Sequence, residues 1–151
     1  MVAQTAVAEP SVPIDESFDI CATIPSLDVI NAVLTEPADR AVDLERGPGW
    51  DLCEAGTDGG IDNVQFSRST TGTKEETIAL AAELGATVVD LADPELPGAI
   101  TYSGLVVIFI DGIEYSAQVL TLDTIADPTS PAAIDRSATL LKAWLVSLGL
   151  G

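Results

Sequence analysis

Apolar positions along this chain fall into two periods, near two and near 3.6 residues, and the sharpest example of the first runs from Gly104 to Leu122, GLVVIFIDGIEYSAQVLTL. Leu105 to Ile110 is an unbroken apolar run, the mark of a strand covered on both faces. Ile113, Tyr115, Ala117 and Val119 then alternate with Glu114, Ser116 and Gln118, so the returning strand has one apolar and one polar face. Between the two, Asp111-Gly112 suits a two-residue turn that needs positive φ. That loop length sets the register, with Ile110 facing Ile113, Phe109 facing Glu114 and Ile108 facing Tyr115. One face of the predicted hairpin then carries Val106, Ile108, Ile110, Ile113, Tyr115, Ala117 and Val119. The other carries Leu105, Val107 and Phe109 beside Glu114, Ser116 and Gln118, too apolar for open water and too polar for a dry core.

The 3.6-residue period is strongest near the end of the chain. Ile134, Ala138, Leu141, Leu145 and Leu148 share one face of a helix over about 131–148, with Ser130 as N-cap, Pro131 at the first helical position and Gly149 as the stop. Leu140 and Trp144 lie beside this stripe, where they either widen the buried face or form its rim. A second helix starts at Thr73, which forms a capping-box pattern with Glu76, and stops at Gly85. Its stripe of Ile78, Ala81 and Ala82 is narrow and calls for close packing by small residues. A first helix is expected behind Ser26, with Leu27, Ile30, Val33 and Leu34 on one face and Pro37 at its end.

Trp50 to Cys53 reads as the start of a strand, Val64 and Phe66 as a strand with one buried face, and Thr87 to Leu91 as a short strand. Ile100 to Tyr102 either opens the hairpin early or stands alone. Ala38 to Gly49 is charged and reads as a loop, as does the stretch from Asp127-Pro128 to Pro131. The predicted architecture is α+β: an antiparallel sheet centred on the hairpin at about 105–122, with three helices. Residues 1–16, with Pro10 and Pro13 and no periodicity, read as a flexible leader. Residues 17–151 read as a single domain.

Composition narrows the function classes. With 151 residues and 47% hydrophobic content, the chain is long enough to bury its own core. It carries 24 acidic and 6 basic residues, a formal net charge of −18. Such a surface repels nucleic acid and anionic membranes, and serves either solubility or a cationic partner. Histidine is absent, which removes the usual general base and zinc ligand together. No apolar run reaches the roughly 18 residues of a membrane span, and the N-terminus lacks the basic and apolar regions of a secretory signal.

The two cysteines, Cys21 and Cys53, lie outside any CxxC pair and have no lysine or arginine close in sequence. A structural disulfide, two buried thiols or a reactive thiol all fit that setting. A disulfide would place the protein in an oxidising, extracytoplasmic compartment, secreted or anchored at the cell envelope. Phe18-Asp19-Ile20-Cys21 leading into a short helix, with Trp50-Asp51-Leu52-Cys53 behind it, resembles a family of exported actinobacterial lipoproteins of unassigned function. Related modules serve as extracytoplasmic sensor domains of membrane serine/threonine kinases. The resemblance covers residue 18 to the end. It implies an envelope-tethered binding domain without catalytic residues, its lipid anchor carried by a full-length precursor.

Other candidate chemistry is weak. Asp51 with Glu54, or Glu75 with Glu76, could be cast as catalytic carboxylates, although in so acidic a chain such pairs are inevitable. Asp58 to Asn63 reads as a turn or a calcium loop without EF-hand spacing. Lys74 and Lys142 lack a serine at SxxK spacing. No cofactor is expected. The mixed hairpin face of Leu105, Val107, Phe109, Glu114, Ser116 and Gln118 is the candidate site. A helix of the same chain, a protein partner or an apolar or amphipathic ligand would each account for it. The expected function is non-catalytic binding, against a carboxylate-dependent enzyme or a self-associating structural domain.

Overall fold

The computed structural model describes residues 19–34, 37–47, 49–56, 62–70 and 72–150. The predicted leader lies outside these residues, as does most of the candidate calcium loop, of which only Asp62 and Asn63 are described. Among the described residues the fold is α+β. Its strands are β1 (Arg40–Gly47), β2 (Trp50–Gly56), β3 (Asn63–Ser69), β4 (Val89–Asp90), β5 (Ile100–Tyr102), β6 (Leu105–Ile110) and β7 (Ile113–Leu120). They form one antiparallel sheet in the order β1-β2-β3-β7-β6-β5-β4. Its helices are α1 (Ile20–Thr23), α2 (Leu27–Asn31), α3 (Lys74–Glu83), α4 (Leu122–Ala126) and α5 (Pro131–Ser147).

The β6–β7 hairpin has the predicted register, Ile110 opposite Ile113 and Ile108 opposite Tyr115. Asp111 and Gly112 take φ of 51° and 81°, the left-handed pair that a turn of this length requires. At the other end of β6, Gly104 has φ 82°, and a Cβ there would stand 3.0 Å from the Pro128 carbonyl oxygen. Only glycine fits that position.

One face of the sheet packs on α5, α1 and α2. Val64, Phe66, Val106, Ile108, Tyr115, Ala117 and Val119 meet Ile20, Ile30, Leu140, Leu141, Trp144 and Leu145 in one continuous core. Leu140 and Trp144 are fully buried and lie at the centre of the α5 interface, beyond the i, i+3/i+4 stripe read from sequence. The Trp144 ring meets Phe66 and Tyr115 edge-on, at centroid distances of 5.4 Å and 5.6 Å. Its indole N–H donates to Thr23 Oγ1 at 3.0 Å. Ser137 is also buried, donating to the Gly104 carbonyl at 2.9 Å and accepting from the Val119 amide at 3.1 Å, so α5 is bonded as well as packed to the end of the hairpin. At the margin of this face Arg68 sits 3.6 Å from the buried Asp51.

Cys21 and Cys53 form a disulfide, Cα–Cα 5.4 Å, joining α1 to β2. Of the three thiol readings, the structural bridge is the one present.

Several sequence expectations are corrected. The expected loop from Ala38 to Gly49 contains β1, which pairs along its length with β2. Among the described residues β1 is the outermost strand on this side of the sheet. The helix expected behind Ser26 is α2, which starts at Leu27 with Ser26 as its N-cap, while α1 is an additional short helix ahead of it, separated by Ile24, which is held extended before Pro25 (ψ 160°). Helix α2 ends at Asn31, whose side-chain amide accepts from the Ala38 N–H at 2.6 Å and donates to its carbonyl at 3.2 Å. Between the hairpin and the loop predicted from Asp127 stands an additional short helix, α4, nucleated by a capping box in which Thr121 and Thr124 each accept from the other's amide. There are thus five helices among the described residues instead of three.

The disulfide closes a loop with a sequence separation of 32, and chain entropy makes that worth about 3–4 kcal/mol. The Cys21→Ala/Cys53→Ala protein is therefore expected to melt roughly 10 °C or more below the wild type. Calorimetry of both proteins checks this, and adding reductant should lower the Tm of the wild type alone.

Candidate functional site

The six residues of the mixed hairpin face come together as the pairing predicts. Leu105 is opposite Gln118, Val107 opposite Ser116 and Phe109 opposite Glu114. The register extends this face in both directions. On the β5 side Ile100 pairs with Val107 and Tyr102 with Leu105. On the β3 side Ser67 pairs with Ser116 and Gln65 with Gln118. An apolar strip across β5 and β6 therefore runs beside a polar strip across β7 and β3. Ile100 and Tyr102 alternate with Thr101 in the sequence, but the pairing that brings them here is not written in that alternation.

The polar strip is internally bonded. The Ser67 and Ser116 hydroxyls are 2.7 Å apart, Gln118 donates to the Ser103 carbonyl at 3.0 Å, and Gln65 donates to Glu54 at 3.2 Å. These side chains present hydroxyl and amide groups, with Glu114 as the carboxylate nearest the apolar strip.

Helix α3 lies across this face. Antiparallel pairing through β7, β6 and β5 leaves β3 and β4 running in the same direction, so the chain between them must cross the sheet, and α3 is that crossing. The predicted capping box fixes its start, with the Thr73 amide donating to Glu76 Oε1 at 3.1 Å and the Glu76 amide to Thr73 Oγ1 at 3.2 Å. Thr77 reaches down to donate to Glu114 at 3.2 Å, and Lys74 donates to the Gly98 carbonyl at 2.9 Å. On the sheet below, Ile100, Val107 and Ser116 are buried, while Leu105, Tyr102, Phe109, Glu114 and Gln118 are half-buried. The face is covered in part by the chain's own helix. The small-residue stripe expected of α3 holds only at Ala81, since Ile78 and Ala82 are exposed.

Burial pushes the Glu114 carboxyl above its ordinary value, against the Thr77 hydrogen bond that lowers it. Burial also raises the Tyr102 phenol, and the nearby Glu114 charge raises it further. The other carboxylate candidates lie elsewhere. Asp51 is on the opposite sheet face from Glu54, whose partner is Gln65. Glu76 closes the α3 capping box and Glu75 stands exposed in the same turn. Lys142 holds Asp93 at 2.7 Å and Glu95 at 3.3 Å. Among the described residues no helix is long and apolar enough to cross a membrane.

A carboxyl whose folded value is raised binds more protons folded than unfolded, so stability falls as pH rises between the two values. Glu114 is therefore a cost at neutral pH that protonation relieves. Glu114→Gln keeps an acceptor for Thr77 without the charge. It is expected to raise Tm at pH 7–8, with the gain shrinking as pH falls through the raised folded value and gone below the ordinary carboxylate range. Melting curves of both proteins from pH 3 to 8 measure the difference.

No family model matches the chain, and neither a curated protein nor a solved structure matches it.

Proposed function

We propose that this protein is an extracytoplasmic, cell-envelope-associated binding domain without catalytic activity, which takes a small apolar or amphipathic ligand on the sheet face beneath α3. The observation that carries this reading is the strip itself. Ile100, Leu105, Val107 and Phe109 form a contiguous apolar surface bordered by Ser67, Ser116, Gln118 and Glu114. An apolar floor with a few placed polar groups at its edge is the usual composition of a small-molecule site. A stable protein interface takes roughly 800 Å² per partner, and α3 covers part of this strip. A slender ligand suits it better.

The extracytoplasmic placement is supported by the disulfide between Cys21 and Cys53, since such bonds persist in oxidising compartments. The lipoprotein resemblance around these two cysteines favours the same placement and belongs to the proposal.

Two measurements test it. Protein isolated from its native cells under alkylating conditions is expected to take up label only after reduction. Two alkylatable thiols before reduction would defeat the extracytoplasmic placement. Titration with the neutral fluorophore N-phenyl-1-naphthylamine is expected to give saturable fluorescence. Phe109→Ser should weaken that binding at least tenfold, and the exposed α4 change Ile125→Ser should leave it unaltered. Should Phe109→Ser fail to fold, Leu105→Gln serves in its place. Equal affinity in a folded face variant and the wild type would count against this surface.

A further inference from the structure

We infer that α3 is a movable lid over this site, and that the strip beneath it takes the straight apolar segment of a neutral or cationic amphiphile. The inference rests on the binding reading above and adds its regulation and ligand class.

The two layers on this sheet are attached in different ways. Helix α5 buries Ala133, Ser137, Ala138, Leu140, Leu141, Trp144 and Leu145. Helix α3 buries Ala81 alone. Its larger apolar side chains are turned outward, with Ile78 37%, Leu80 56% and Leu84 77% exposed. What holds it down is polar: Thr77 to Glu114 and Lys74 to the Gly98 carbonyl. Water can replace hydrogen bonds of this kind when the helix lifts, whereas it cannot replace buried apolar packing. Local opening is expected where buried apolar contacts are few. The Thr77 bond lands on a carboxylate whose charged form burial already disfavours, so lifting α3 also rehydrates Glu114.

The sheet beneath is the reverse of the helix. Ile100 and Val107 are 0% exposed, yet neither belongs to the main core that α5 closes. Lifting α3 uncovers them together with the half-buried Leu105 and Phe109. Four residue steps from Leu105 to Phe109 give a floor about 13 Å long on a strand. That accommodates a straight apolar segment of medium length. At the border Glu114, Gln118 and Ser116 supply hydrogen-bond acceptors for a headgroup. The chain's net charge of −18 opposes an anionic one.

Thiol labelling tests the lid without any ligand. Val106 and Val107 are neighbours on β6, both fully buried, one facing α5 and the other facing α3. Under native conditions Val107→Cys is expected to react with Ellman's reagent at least 100-fold faster than Val106→Cys. Adding Thr77→Val to Val107→Cys should accelerate it about fivefold further. Equal rates for the two cysteines would overturn the lid. Wild-type hydrogen exchange gives the same test free of substitutions, with α3 amides exchanging at least 100-fold faster than those of α5. Saturating N-phenyl-1-naphthylamine is expected to slow Val107→Cys labelling tenfold. Fluorophore binding without that protection puts the ligand elsewhere. Fast labelling with no fluorophore binding upholds the lid and overturns the binding reading. The anionic 8-anilinonaphthalene-1-sulfonate should bind at least tenfold more weakly, and equal affinity would overturn the charge selectivity.

Discussion

The indole of Trp144 makes three separate parts of the chain depend on one another. Its ring is edge-on to Phe66 of β3 and Tyr115 of β7, and its N–H is donated to Thr23 of α1. A buried indole N–H needs an acceptor, and Thr23 is prepared to be one. Its own hydroxyl proton is committed to the Ile20 carbonyl at 2.7 Å, which leaves a lone pair for the indole. Helix α1, with four residues, is far too short to persist on its own. It exists because this hydrogen bond and the disulfide at Cys21 hold it from two sides. One covalent tie and one aromatic wedge thus set α1, α5 and the central strands relative to one another.

That arrangement concentrates stability on one side of the sheet. The α5 side combines a branched, interlocking apolar surface with the bridging Ser137, whose hydroxyl serves both the Gly104 carbonyl and the Val119 amide. The α3 side has a narrow apolar strip, a bonded polar strip and a helix that contributes Ala81. Strand β6 is apolar at every position because both layers need it: Val106 and Ile108 serve the core, Leu105, Val107 and Phe109 the surface under α3. The unbroken run from Leu105 to Ile110 is therefore the trace of a three-layer structure, and the alternation in β7 marks where the second layer thins into polar contacts.

Several signals that short-range geometry decides were legible in the sequence. Asp111-Gly112 gave the turn and with it the register, Thr73 and Glu76 gave the start of α3, and Ser130-Pro131 gave the start of α5. Signals that depend on distant partners were not legible. Nothing within Arg40–Gly47 distinguishes a strand from a loop until Trp50–Gly56 is paired against it. Trp144 lay off the ideal helical stripe because the buried arc of α5 is wider than that stripe, its width being set by the span from Phe66 to Tyr115. The candidate face was identifiable from hairpin register alone, but Thr77, Ile100, Tyr102 and Ser67 were brought to it by the crossing of α3 and by long-range strand order.

The same asymmetry decides how far any movement of α3 can spread. Its N-terminal side follows β3, which is held between β2 and β7 and cannot shift without breaking the core. Its C-terminal side leads into β4, whose pairing is limited to Val89 with Thr101 and Asp90 with Ile100. Beyond β4 the chain is fixed again. The Leu91 amide donates to the Ala99 carbonyl at 2.9 Å, and Lys142 of α5 grips Asp93 and Glu95. The Lys142 bond, then the Glu95 amide, hold the Asp93 carboxyl below its ordinary value, so this grip persists through neutral pH. A displacement of α3 is therefore absorbed between Gly72 and Asp93, and the sheet that forms the floor of the site stays in place while its cover changes.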